Sequence, residues 1–234
     1  MRTIVKNNLL FILMLILCMF IVGCETPADK KEYKEANYTL YGEPSFEKQI
    51  TLDEVKQALK EATNYLATVK SYSYDQTLYG VSESEYTLQG TTKIDVTGES
   101  PKASIELTGS GEFAFYITDG KAYLNYDGYK TYYEVETDLS NVIEATESSI
   151  GAFSAFDEEN ITTDNLVFAG EDKDGATVVK YNISTSAFAV IVIFEGKIMK
   201  VMHLSDEGVE YIAKYNYSQV TIEFPSDLNE YVAK

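Results

Sequence analysis

The chain is poor in the residues that most often carry chemistry. It has 234 residues, no tryptophan, one histidine, two cysteines and a single arginine, Arg2. Beyond Arg2, bidentate recognition of phosphate or carboxylate by a guanidinium is unavailable. With 19 basic against 37 acidic residues and a formal net charge of −18, the chain lacks the clustered lysine and arginine that a nucleic-acid backbone demands, so nucleic acid is excluded as a partner. The lone histidine, His203, has neither a second histidine nor a free cysteine with which to build an ordinary zinc site. No Gly-x-Ser-x-Gly elbow accompanies it, so a serine hydrolase of that type has no nucleophile. Two acidic runs, Asp157-Glu158-Glu159 and Glu171-Asp172-Lys173-Asp174-Gly175, carry charge enough to attract calcium but lack the order of a calcium loop. The second run reads more economically as a hairpin turn. Gly109-Ser110-Gly111 is no phosphate loop, because no Lys-Ser/Thr follows it on a helix. Nothing assembles a nucleophile, a base and an oxyanion donor. An enzyme, including a metal-assisted hydrolase, is therefore the class these residues support least, and no cofactor is expected.

The N-terminus is more informative. Arg2 and Lys6 precede an uninterrupted apolar stretch, Leu9 to Val22, and no acidic residue occurs before Glu25. At about 14 residues the stretch matches the core of a secretory signal and is short for a spanning helix, which needs about 20. It ends in Ile21-Val22-Gly23-Cys24, which resembles the lipobox of bacterial lipoproteins. The resemblance implies a diacylglycerol thioether on Cys24 and cleavage after Gly23, leaving residues 1–23 as a removed signal. Two acyl chains anchor a protein stably where one holds it only marginally. Cys18 leaves with the signal, so the mature chain has one sulfur, already alkylated, and no disulfide. Losing Arg2 and Lys6 takes the formal charge from −18 to about −20. The expected location is the extracytoplasmic face of the cell membrane, with the lipid as the contact.

Residues 24–45 are polar and charged without apolar periodicity, and read as a lipidated tether. Residues 46–234 read as one domain, long enough for a core of its own. It opens on Thr51-Leu52-Asp53-Glu54, a capping box, followed by Leu52, Val55, Leu59, Ala62, Leu66 and Val69 at helical spacing. This predicts an amphipathic helix of about 18 residues whose stripe packs on a sheet. Strands are expected at Ser71–Tyr79, Tyr86–Val96, Lys102–Thr108, Glu112–Thr118, Ala122–Tyr126 and Thr131–Glu136, with hairpin turns at Asp119-Gly120 and Asp127-Gly128. Residues 138–156 break the alternation and predict a second helix. Strands then resume at Leu166–Ala169, Ala176–Ser184, Ala187–Phe194, Ile198–Leu204, Val209–Tyr217 and Val220–Phe224. The 19 tyrosines suit such a β-rich domain with amphipathic surfaces.

One strand, Ala187-Phe188-Ala189-Val190-Ile191-Val192-Ile193-Phe194, is apolar on both faces and so must be covered on both. In a curved sheet one face would meet the helix and the other a ligand space. The set containing Ala189 lets a helix approach closely, which assigns Phe188, Val190, Val192 and Phe194 to the ligand side. Phe113, Phe115 and Ile117 repeat the theme.

The opening helix running into Val69-Lys70-Ser71-Tyr72-Ser73-Tyr74, the strand pair around Tyr116 to Leu124 and the terminal Val220–Pro225, all behind a lipobox, resemble the half-barrel superfamily that includes LolA and LolB and the mycobacterial lipoproteins of the LppX and LprG type. The flavour is closest to its Gram-positive branch. The resemblance implies an α+β fold: a curved antiparallel half-barrel sheet with helices against or inside its concave face. It also implies a lipid or other apolar ligand in the cavity, lined by Phe113, Phe115, Ile117, Phe188, Val190, Val192 and Phe194. A fold does not entail a function, and the rival reading is an envelope protein–protein interaction module without a ligand.

Overall fold

The structure, a computed structural model, describes residues 46–79, 87–135, 158–205 and 208–234. All belong to the second of two compact units, 36–234. The signal, Cys24, the tether and the expected helix at 138–156 lie outside the described residues.

The helix, α1, spans Leu52–Thr68. Its capping box is complete: the Glu54 amide donates to the Thr51 hydroxyl at 3.3 Å, and the Thr51 amide donates to Glu54 Oε2 at 2.7 Å. Two amides that would otherwise lack partners at the helix start are thereby satisfied. Backbone contact with Thr51 and the ammonium of Lys48 hold the Glu54 carboxyl below its ordinary pKa. Val55, Leu59 and Ala62 form the buried stripe. The helix ends where Val69 turns to extended backbone, its amide reaching the carbonyls of Tyr65 and Leu66.

Around α1 lies a single open sheet. Its strands are β1 (Lys48–Gln49), β2 (Ser71–Tyr79), β3 (Thr87–Asp95), β4 (Lys102–Gly109), β5 (Glu112–Thr118), β6 (Lys121–Tyr126) and β7 (Tyr129–Glu134), then β8 (Leu166–Glu171), β9 (Thr177–Asn182), β10 (Ala187–Phe194), β11 (Lys197–Ser205), β12 (Gly208–Asn216) and β13 (Val232–Ala233). The spatial order is β1-β8-β9-β10-β11-β12-β2-β3-β4-β5-β6-β7-β13. Two antiparallel meanders thus meet where β12 pairs with β2, and only β13 runs parallel to its neighbour. The edge strands β1 and β13 are two residues each, too short to offer a long free edge for pairing. The fold is therefore mainly β: a large, curved, unclosed antiparallel sheet with one α-helix packed against it among the described residues.

The turns follow the sequence closely. Asp119-Gly120, Asp127-Gly128 and Glu195-Gly196 all have positive φ at both positions, the conformation of tight hairpins whose twist matches the strands. Gly90 marks a different constraint. A Cβ there would stand 1.7 Å from the Glu106 carbonyl oxygen, so only glycine lets β3 and β4 come so close.

Two strand expectations need correction. The last strand of the first meander begins at Tyr129, because a two-residue turn returns the chain directly after Gly128, and it ends at Glu134. Val220–Phe224 is not a strand. The Val220 amide donates to the Ser71 hydroxyl at 3.0 Å, and the apolar alternation serves to seat Phe224 edge-on to Tyr116 at 6.1 Å.

Candidate apolar site

Cross-strand pairing fixes which side chains share a face, since paired residues project to the same side. Ile191 pairs with Val201, Val201 with Ala213, Ala213 with Gln76, Gln76 with Gly90, Gly90 with Leu107 and Leu107 with Phe113. That line runs across the sheet on the face that carries α1. Ala189, Ile191 and Ile193 join Val55, Leu59 and Ala62 in one core, as does the pair Phe115 and Ile117. The helix therefore meets the Ala189 set, as its small side chain suggested.

Phe188, Val190, Val192 and Phe194 consequently project from the far face. Val190, Val192 and Phe194 are buried there with Val178 and Met202, and Phe188 is half-buried with the Lys180 ammonium 4.1 Å from its ring centre. The expected lining is thus corrected: its seven residues do not bound one space. Phe113, Phe115 and Ile117 lie on the helix face, and the other four lie across the sheet from them. Parity within one strand was readable, but the relation between β5 and β10 depends on the whole series of intervening pairings.

The helix face outgrows its helix. An α-helix is about 10 Å wide and strands lie about 4.8 Å apart, so α1 can cover only a few neighbouring strands of so large a sheet. It packs on β11, β10 and β8. The apolar face continues through Ile94, Ile105, Phe115 and Ile117, which are buried although they lie beyond the strands on which α1 packs, to Phe113 and Leu124, which are only half-buried against the core. At its end three tyrosines of the same face come into solvent: Tyr133 is 41 % exposed, Tyr126 53 % and Tyr129 79 %.

Between α1 and that end lies an aromatic band which the sequence pattern did not assign to the site. Tyr74 and Tyr215 sit 5.0 Å apart, Tyr72 stacks on Tyr215 at 6.5 Å, and Tyr65 meets Tyr217 edge-on at 5.4 Å. The alternation Ser71-Tyr72-Ser73-Tyr74 and Tyr215-Asn216-Tyr217 was the available signal. Burial pushes the Tyr217 hydroxyl pKa well up, and that hydroxyl donates to the Ile198 carbonyl at 2.7 Å. A buried polar chain adjoins the band: the Gln76 amide donates to Thr92 Oγ1 at 2.7 Å, and Tyr211 donates to Gln76 Oε1 at 3.4 Å. The face is therefore apolar with a strip of hydroxyl and amide groups through it.

His203 stands half-buried on β11, edge-on to Tyr211 at 5.8 Å. Burial holds its pKa below the ordinary value, and Glu210 opposes that shift. Asp172 serves its own turn, with Oδ1 accepting from the amides of Asp174 and Ala176 at 2.9 Å each. Among the described residues no three acidic, histidine or cysteine side chains gather where a metal could be held. Asp157 lies outside the described residues.

No protein-family model and no curated protein sequence matches the chain. Among solved structures it is similar to an uncharacterized conserved protein from Thermus thermophilus, at 11 % identity and a TM-score of 0.43 over 77 % of this chain and 99 % of that one. It is also similar to LprF from Mycobacterium bovis, at 12 % identity and a TM-score of 0.41 over 79 % and 99 % respectively. At that distance the likeness decides no residue's role, which rests on register and burial.

Proposed function

We propose that this chain is a lipoprotein anchored through Cys24 to the extracytoplasmic face of a bacterial membrane, and that it holds a lipid or other apolar molecule against the helix face of its sheet. The observation that carries this reading is the end of the helix face, where Phe113 and Leu124 are only half-buried and the tyrosines of the same face come into solvent. The protein acts by binding rather than by catalysis. The hydroxyl and amide strip gives the same face a means of orienting a polar head group, as apolar pockets with a few placed polar groups do.

Phe113 and Phe188 provide the test, because both are half-buried and they occupy opposite faces. The soluble domain, residues 46–234, takes up a fluorescent acyl probe. Phe113→Glu abolishes that uptake with little loss of thermal midpoint, and Phe188→Glu leaves it intact. Loss in the Phe188 variant alone moves the ligand to the far face. No uptake by the unaltered domain leaves the exposed tyrosines Tyr126, Tyr129 and Tyr133 as the better clue, and they favour a protein-interaction module.

A further inference from the structure

On the far face, away from the apolar site, a concavity opens across β12, β2, β3 and β4. Its volume is about 450 Å³, within the ~300–1,000 Å³ of small-molecule sites. Pairing sets its side chains in two cross-strand rows. Lys214, Asp75 and Thr91 form one, and Ile212, Thr77, Gln89 and Thr108 form the other. The backbone of Gln76 and Gly90 completes the lining, since the Gln76 side chain points to the helix face. Thr91 donates to Asp75 Oδ1 at 2.7 Å, which fixes that carboxylate in the floor.

The chemistry of this cleft differs from that of the helix face. It contains no aromatic ring, and Ile212 is its one large apolar side chain, so neither a lipid nor a stacked base has a surface to rest on. One carboxylate beside one ammonium suits neither a metal nor an anion. The Thr77 and Thr108 hydroxyls and the Gln89 amide can each donate and accept, Thr91 and Asp75 accept, and Lys214 donates. The matching ligand is uncharged and itself presents many groups that both donate and accept. We infer that this cleft binds a neutral saccharide, free or as part of an envelope polymer.

The test uses the full chain in protein-belted bilayer discs, since sugar-headed detergents would compete. Saturation-transfer NMR against glucose, maltose and N,N′-diacetylchitobiose reads the free-sugar arm. Co-sedimentation with insoluble cell-wall polysaccharide reads the polymer arm. At least one arm shows binding absent from empty discs, and the Asp75→Asn, Gln89→Ala pair weakens it at least tenfold, with thermal midpoint and acyl-probe uptake unchanged. Should that pair unfold, Thr108→Val, at an exposed position, weakens binding severalfold instead. Binding in neither arm, or binding indifferent to these substitutions, overturns the inference. Acyl-probe uptake is a separate readout, so failure here leaves the proposed function standing, and the reverse also holds.

Discussion

Ile191 and Val192 are neighbours on β10, each with no exposed surface, yet they are buried on opposite faces of the sheet. Ile191 lies in the core under α1. Val192 lies across the backbone, paired with Val178 on β9 and Lys200 on β11. A carboxylate forced into either place must give up its hydration among apolar neighbours, at a cost of several kcal/mol. Both Ile191→Glu and Val192→Glu are therefore expected to lower the thermal midpoint sharply. A midpoint near that of the unaltered domain for Val192→Glu would mean that the far side of β10 is an open space, as the sequence alone suggested.

His203 predicts a pH dependence. Its pKa is lowered by burial from the ordinary 6.5, so the unfolded chain binds its proton more readily than the folded one. The resulting stability is fully present above pH 6.5 and is lost as the pH falls through the folded-state value. His203→Gln is expected to flatten the midpoint between about pH 7 and pH 5 relative to the unaltered domain. Parallel curves for the two would contradict this.

The C-terminal segment is held by a mixed clamp. Tyr231 is buried edge-on against Tyr123 at 5.4 Å, while Lys130 bridges Asp227 and Glu230. Ring burial outweighs partly exposed ion pairs. Tyr231→Ala is expected to destabilise by roughly 1–3 kcal/mol, and Lys130→Met by clearly less. Chemical denaturation of both variants checks the order, and a larger loss for Lys130→Met reverses it.

Local rules made much of this fold legible. The capping box at Thr51 and Glu54, the Asp-Gly turns and the double-sided apolar strand all appear where their residues place them, because each is decided within a few positions. Three features were not legible. The edge strands β1 and β13 are two residues long and carry no pattern of their own. Val220–Phe224 has a strand's alternation but spends it on Tyr116 and Ser71, which are distant in sequence. The face shared by Phe113 and Ile191 depends on the meeting of β12 with β2, a pairing between opposite ends of the domain such as Tyr211 with Leu78. The apolar site was therefore readable as two candidate patches, but their placement on opposite sides was not.

The most direct test of the account is native mass spectrometry of the full chain extracted from its own membrane. The expected species is residues 24–234 with a covalent diacylglycerol on Cys24 and a second, non-covalent lipid that is released on denaturation. Cys24→Ala removes the covalent mass and leaves the unprocessed precursor. A chain that carries its anchor but releases nothing on denaturation would contradict the central claim and make the helix face ordinary core.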